Sequence, residues 1–103
     1  MDLGLSGRRA IITGGTKGIG RAIADLLADE GCNVGICARN DEEVGAAVAA
    51  LKGKGVNACG AAIDVRDGAA IRSWVADCAS ALGGLDIVVP NVSALAIERN
   101  EES

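Results

Sequence analysis

The chain has 103 residues, and its 10 Lys+Arg against 14 Asp+Glu, with no His, give a net charge of −4 at pH 7. With 50% hydrophobic and 23% charged residues it is too apolar for a disordered chain and too short for two folded units of ordinary size. An acidic balance and a single aromatic residue, Trp74, argue against the basic, ring-bearing surface that nucleic acid requires. Arg9 leads into Ala10-Ile11-Ile12-Thr13, a short apolar run that stops at Gly14 and Gly15 and reads as a buried strand entering a tight turn. From Gly18 the period becomes helical. Ile19, Ala22, Ile23, Leu26 and Leu27 form the predicted inward stripe, Arg21, Asp25, Asp29 and Glu30 take the other face, and Gly31 suits a left-handed cap. Asn33 to Ala38 fits a second strand. Asn40, with Glu43 three residues on, has capping-box spacing and opens a second helix with Val44, Ala47, Val48 and Leu51 inward, closed by Gly53 and Gly55. Val56 to Ile63 reads as a third strand ending at Asp64-Val65. Asp67 then caps a third helix with Ile71, Trp74, Val75, Cys78 and Leu82 inward, stopped by Gly83-Gly84. Leu85 to Val89 is the fourth strand, and the signal fades after Pro90. This alternation is that of an α/β parallel sheet with right-handed crossovers.

The absent residue types restrict the chemistry. Without His or Tyr the chain cannot supply a Ser/His/Asp triad, a histidine metal site or a tyrosine acid. The four cysteines, Cys32, Cys37, Cys59 and Cys78, form no C-x-x-C pair, so no metal site is expected and all four are read as buried, reduced thiols. Met1-Asp2-Leu3-Gly4 lacks a basic start, and no apolar run approaches about 18 residues. The expectation is a cytoplasmic protein with neither a membrane nor a nucleic acid as partner.

Thr13-Gly14-Gly15-Thr16-Lys17-Gly18-Ile19-Gly20 lies between the first strand and the first helix, where unpaired N–H groups and the positive end of the helix dipole favour a phosphate. Glycines there let backbone approach an anion and pack helix against strand. The stretch is not a Walker A loop, because Lys17 precedes its last glycines. Thr13-Gly14-x-x-x-Gly18-Ile19-Gly20 resembles the cofactor loop of the short-chain dehydrogenase/reductase family, including members such as 3-oxoacyl-carrier-protein reductase. The resemblance extends to Arg39 after the second strand, Asp64-Val65 after the third, and Leu85-Asp86-Ile87-Val88 leading to Asn91. It implies a Rossmann-like doubly wound parallel sheet of order 3-2-1-4, cut off after the fourth strand. Residues 1–97 would be an incomplete NAD(P)-binding domain, and 98–103 a polar tail. The implied cofactor residues are Thr13, Gly14, Thr16, Lys17, Gly18, Ile19, Gly20, Arg39, Asp64, Val65 and Asn91. The family's Asn-Asn-Ala-Gly segment is altered to Pro90-Asn91-Val92-Ser93, and only the second Asn is kept.

Charge at the end of the second strand bears on the cofactor. An acid there would accept hydrogen bonds from a ribose 2′-hydroxyl and repel a 2′-phosphate, whereas this chain has Ala38 and Arg39. NADP is therefore favoured over NAD, with Lys17 as a second cation. The competing reading of both residues is solvated surface charge. Asp41, Glu42 and Glu43 are read as first-turn helix charges rather than ligands. The family's chemistry uses a tyrosine acid/base in a Tyr-x-x-x-Lys arrangement and a serine, and no tyrosine is present, so no residue here is expected to be catalytic. The resemblance points to the N-terminal, NADP-binding fragment of an oxidoreductase that moves hydride between nicotinamide and a carbonyl or alcohol. The alternative is a nucleotide-binding or regulatory module without chemistry. The expected partners are a dinucleotide and either the missing C-terminal half or a second copy paired through the fourth-strand edge.

Overall fold

In the computed structural model, which describes residues 4–14, 16–64 and 66–90, the apolar run after Arg9 forms the central strand of a parallel sheet. The elements are β1 (Arg9–Thr13), α1 (Gly18–Asp29), β2 (Asn33–Ala38), α2 (Asp41–Lys52), β3 (Ala58–Ala62), α3 (Gly68–Leu82) and β4 (Ile87–Val89). The strand order is β3-β2-β1-β4, as expected from the reversal of the last crossover. Alternation along the strands splits the core between two faces. On one side Ile12, Val34 and Ile36 pack with Ala24 and Ala28 of α1 and with Ala47 and Leu51 of α2. On the other, Ile11 and Cys37 pack with Trp74, Cys78 and Leu82 of α3. Two glycines permit this closeness. A Cβ at Gly35 would collide with the Cys78 sulfur, and one at Gly60 would come within 2.7 Å of Val44 and Val48.

Caps set two of the helix starts. Asn40 Oδ1 accepts from Glu43 N at 3.0 Å and Asp67 Oδ1 from Ala70 N at 3.1 Å. Gly31 and Gly83 take φ of 91° and 85° just past the ends of α1 and α3, as C-terminal glycines should. The inward stripes of α2 and α3 fall where their periodicity put them.

Three expectations need correction. The buried line of α1 is Gly20, Ala24 and Ala28, while Ile23 and Leu27 only flank the core and Ile19 and Leu26 are 73% and 60% exposed. At 100° per residue, Ile19 and Leu26 lie about 140–160° around the helix from Ala24. Small residues let α1 sit close on the sheet, so the bulkier ones are rotated outward. The outer strands are also shorter than read. β3 starts only after Asn57, whose N–H donates to Asn33 Oδ1 at 3.0 Å, and β4 starts at Ile87 rather than Leu85. Finally, only Cys32 and Cys37 are buried free thiols, whereas Cys59 of β3 and Cys78 of α3 are joined in a disulfide, with Cα atoms 6.7 Å apart. The sheet brings them together although 19 positions separate them in sequence.

Asp86 shows why β4 begins late, for it is held by Arg9 before the ladder starts. Its carboxylate accepts from Arg9 N at 2.9 Å and Arg9 Nε at 2.8 Å, while its own N–H donates to the Arg9 carbonyl at 2.8 Å. Arg9 also donates to the Gly83 carbonyl at 2.8 Å, which ties the α3 exit to β1. The Arg9 hydrogen bonds hold the Asp86 carboxyl below its ordinary 3.8. A lowered folded-state pKa contributes stability above the unfolded value and loses it as pH falls through the folded one. We therefore expect Asp86→Asn to lower the thermal midpoint at pH 7, and the gap from the parent to close as pH drops below 3.8. Melts over a pH series check this, and a gap independent of pH would contradict it. Among the described residues no helix is long and apolar enough to cross a membrane.

Candidate functional site

All four strands point the same way, so their C-terminal ends share one edge, and the chain reverses its course across the sheet beside β1. In open α/β sheets that edge, at that reversal, is where a ligand can enter between loops instead of displacing a helix. Here it carries Thr13-Gly14, the turn through Thr16 and Lys17, Arg39 after β2 and Asp64 after β3.

The glycine turn is anchored at its start. Gly14 takes φ 69° and its N–H donates to the Cys37 carbonyl at 2.7 Å, fastening the turn to β2. Gly18 opens α1 with φ 56°, and a Cβ there would meet nothing within 4 Å. Both conformations disfavour a side chain. Gly20 is buried two residues on, against the sheet. The start of α1 differs from the other two in its cap. Lys17 occupies the cap position and forms no side-chain cap hydrogen bond, so among the described residues no carboxylate or amide side chain caps the first-turn N–H groups at the positive end of the helix dipole. Thr16 is half-buried and Ile19 exposed at the same end.

The charged residues divide into held and free. Lys17 Nζ lies 3.0 Å from Glu43 Oε2 across the edge, with the lysine side chain 79% exposed. Asp64 is gripped by Arg66, whose guanidinium approaches its two oxygens at 2.8 and 3.0 Å and whose N–H donates at 2.9 Å. Those bonds hold the Asp64 carboxyl well below the usual carboxylate range, with a smaller contribution from the charge of Arg39. Arg39 is exposed, and among the described residues its guanidinium has no hydrogen-bond or ion-pair partner. Glycine turn, Lys17, Arg39 and Asp64 thus lie along one edge. Val65 and Asn91 lie outside the described residues, as does the 98–103 tail.

Sequence reasoning missed two participants. Glu43 was read as a helix charge, yet its carboxylate meets Lys17, which only the fold of α2 beside the glycine turn brings about. The strand and helix pattern does not single out Arg66, and its signal is an arginine two residues after an aspartate in a turn, the spacing of the clamp that forms. Among the described residues no cluster of three or more His, Cys, Asp or Glu could hold a metal.

Several proteins similar to this chain are named as reductases or dehydrogenases. A 3-oxoacyl-acyl-carrier-protein reductase of Staphylococcus aureus is 36% identical over 85 residues, covering 82% of this chain and 35% of the relative. The L-sorbose reductase of Gluconobacter frateurii, solved with NADPH and L-sorbose, superposes with a TM-score of 0.85 at 39% identity over 91% of this chain and 36% of that one. A short chain dehydrogenase of Mycobacterium paratuberculosis, solved with NAD, superposes with a TM-score of 0.80 at 30% identity, covering 86% of this chain and 38% of that one. The chain spans about a third of the length of the curated relatives it matches. The sequence profile of the short chain dehydrogenases matches residues 8–103, and with the glycine turn, the uncapped helix and the strand order already in place, the chain belongs to that family.

Proposed function

We propose that this chain forms the NADP-binding part of a short-chain reductase, and that the whole protein moves hydride between the nicotinamide and a carbonyl or alcohol. The observation that carries the cofactor reading is the exposed Arg39 guanidinium beyond β2, without a hydrogen-bond or ion-pair partner among the described residues, where a family member selective for NAD would hold an acid. The local residues fit a dinucleotide. Gly18 leaves room for pyrophosphate, Gly14 turns the chain in the left-handed region, the α1 start offers N–H donors, and Arg39 can pair with a 2′-phosphate through two hydrogen bonds. When bound, the nicotinamide supplies or accepts the hydride. The chain's own part is to hold and orient it. Lys17 would exchange Glu43 for phosphate, and the exchange favours the phosphate because an exposed ion pair is worth only about 0–1 kcal/mol against about 1.5–3 kcal/mol for a charged hydrogen bond. Asp64, fixed by Arg66, keeps an acceptor beside the adenine side of the edge. Asn91 and Val65 complete the proposed set, and the cytoplasm is the proposed compartment.

Cofactor titration followed by fluorescence or calorimetry tests this, with Gly18→Ala as the control for the phosphate cradle. The new methyl points into space free of protein but in the path of the phosphates, so dinucleotide affinity should fall at least about tenfold while stability falls by about 1–2 kcal/mol for the left-handed backbone. Unchanged affinity in a folded Gly18→Ala protein would reject the cradle.

A further inference from the structure

The Cys59–Cys78 pair joins the edge strand to the helix on the opposite side from the dinucleotide-turn helix, and the reading of the glycine edge leaves it unused. We propose that it is a reversible redox site, a disulfide that clamps α3 to β3 and is opened by small thiols of the glutathione class. Three observations carry this. The first is placement. Gly35, lying under the pair, has no side chain to hold the two sulfurs apart, for a Cβ there would strike Cys78 and come within 3.2 Å of Cys59. The second is access. Cys59 is only half-buried, and an open groove lined by Cys59, Trp74, Asp77, Cys78 and Ala81 leads to the pair, whereas Cys78 itself is 2% exposed. The third is contrast with the other thiols. Cys32 and Cys37 are fully buried, and burial pushes both thiols up, so they stay protonated and unreactive.

Accessibility orders the steps. A glutathione thiolate attacks the Cys59 sulfur, the Cys59–Cys78 bond breaks, and its electron pair leaves on the Cys78 sulfur, which takes a proton. A second glutathione thiolate attacks the glutathione sulfur of the mixed disulfide and releases Cys59, which is protonated in turn. Two glutathione thiols are oxidised to one disulfide and the protein gains two thiols. Oxidised glutathione drives the reverse. The clamp closes a loop across a separation of 19 residues, so its loss should lower the thermal midpoint by roughly 10 °C.

Trp74 reports the state. It is the chain's single tryptophan, lies one helical turn before Cys78 and lines the same groove, and a disulfide quenches indole emission efficiently. The protein is incubated in glutathione buffers from oxidising to reducing, alkylated, and mapped by non-reducing tryptic digestion, with emission and melting followed in parallel. A linked peptide pair joining Cys59 to Cys78 should disappear as the buffer becomes reducing, with rising Trp74 emission and a lower midpoint, and return on reoxidation. Cys59→Ser should abolish both the link and the emission response, and because Cys59 is half-buried this variant keeps the packing around Cys78. Alkylation of both cysteines in excess oxidised glutathione, a link resistant to native reduction, or linkage through Cys32 or Cys37 would overturn the proposal.

Discussion

Arg39→Asp should reverse the cofactor preference, weakening NADP binding by roughly ten- to a hundredfold while leaving NAD binding unchanged or improved. The direction follows from what the guanidinium lacks. Arg39 is solvent-exposed and partnerless among the described residues, so removing it forfeits little of the fold, and its loss is felt by the anion it would meet. A carboxylate in its place repels a 2′-phosphate and can accept from a 2′-hydroxyl. It also stands near Asp64, on which the charge of Arg39 already acts, so Arg39→Ser is needed to separate loss of a cation from gain of an anion. Glu43→Gln probes the second cation. Freed from its 3.0 Å partner, Lys17 should bind the phosphate more readily, raising NADP affinity by up to about fivefold with little effect on NAD. Titration of both cofactors against the parent protein and the three variants decides the matter. Equal affinity of the parent for the two, or an unaltered preference in Arg39→Asp, would end the case for NADP selection.

The sheet was legible because its signals are local and agree with one another. Ile11 and Ile12 face opposite sides of a strand bounded by glycine, Asn40 and Asp67 announce helix starts through their own side chains, and the reversal after β3 leaves one place for β4 beside β1. The α1 stripe was misread because periodicity weighs side chains by apolarity, whereas packing weighs them by size. Gly20, Ala24 and Ala28 let backbone approach backbone, and that decided which face turned inward. The glycine turn and Arg39 could be placed because both adjoin strand ends. Glu43 on Lys17 and Cys59 on Cys78 could not, since each contact joins elements whose relative position only the folded sheet defines.

A preparation of the 103-residue chain alone, supplied with NADPH and a panel of ketones, should give no turnover above buffer. Neither a tyrosine nor a histidine is present to protonate the carbonyl oxygen, and a positioned acid typically contributes about 10²–10⁴-fold. Cofactor binding and chemistry should therefore separate, with the chain retaining the first. The same preparation should also associate. Among the described residues β4 pairs with β1 only, its three residues Ile87–Val89 carry no charge, and Val88 is 58% exposed. Pro90 follows the strand and cannot block pairing along it. Such an edge is a template for a strand from elsewhere, which in a solution of one species would be its own copy. Size-exclusion chromatography with light scattering should return a mass above 10.2 kDa, and Val88→Lys, which places a charge on the exposed side of the edge, should bring it down. A parent chain that is monomeric throughout would reject the edge pairing. Ketone-dependent oxidation of NADPH by the same sample, lost in Gly18→Ala, would show instead that the chain carries an acid other than tyrosine.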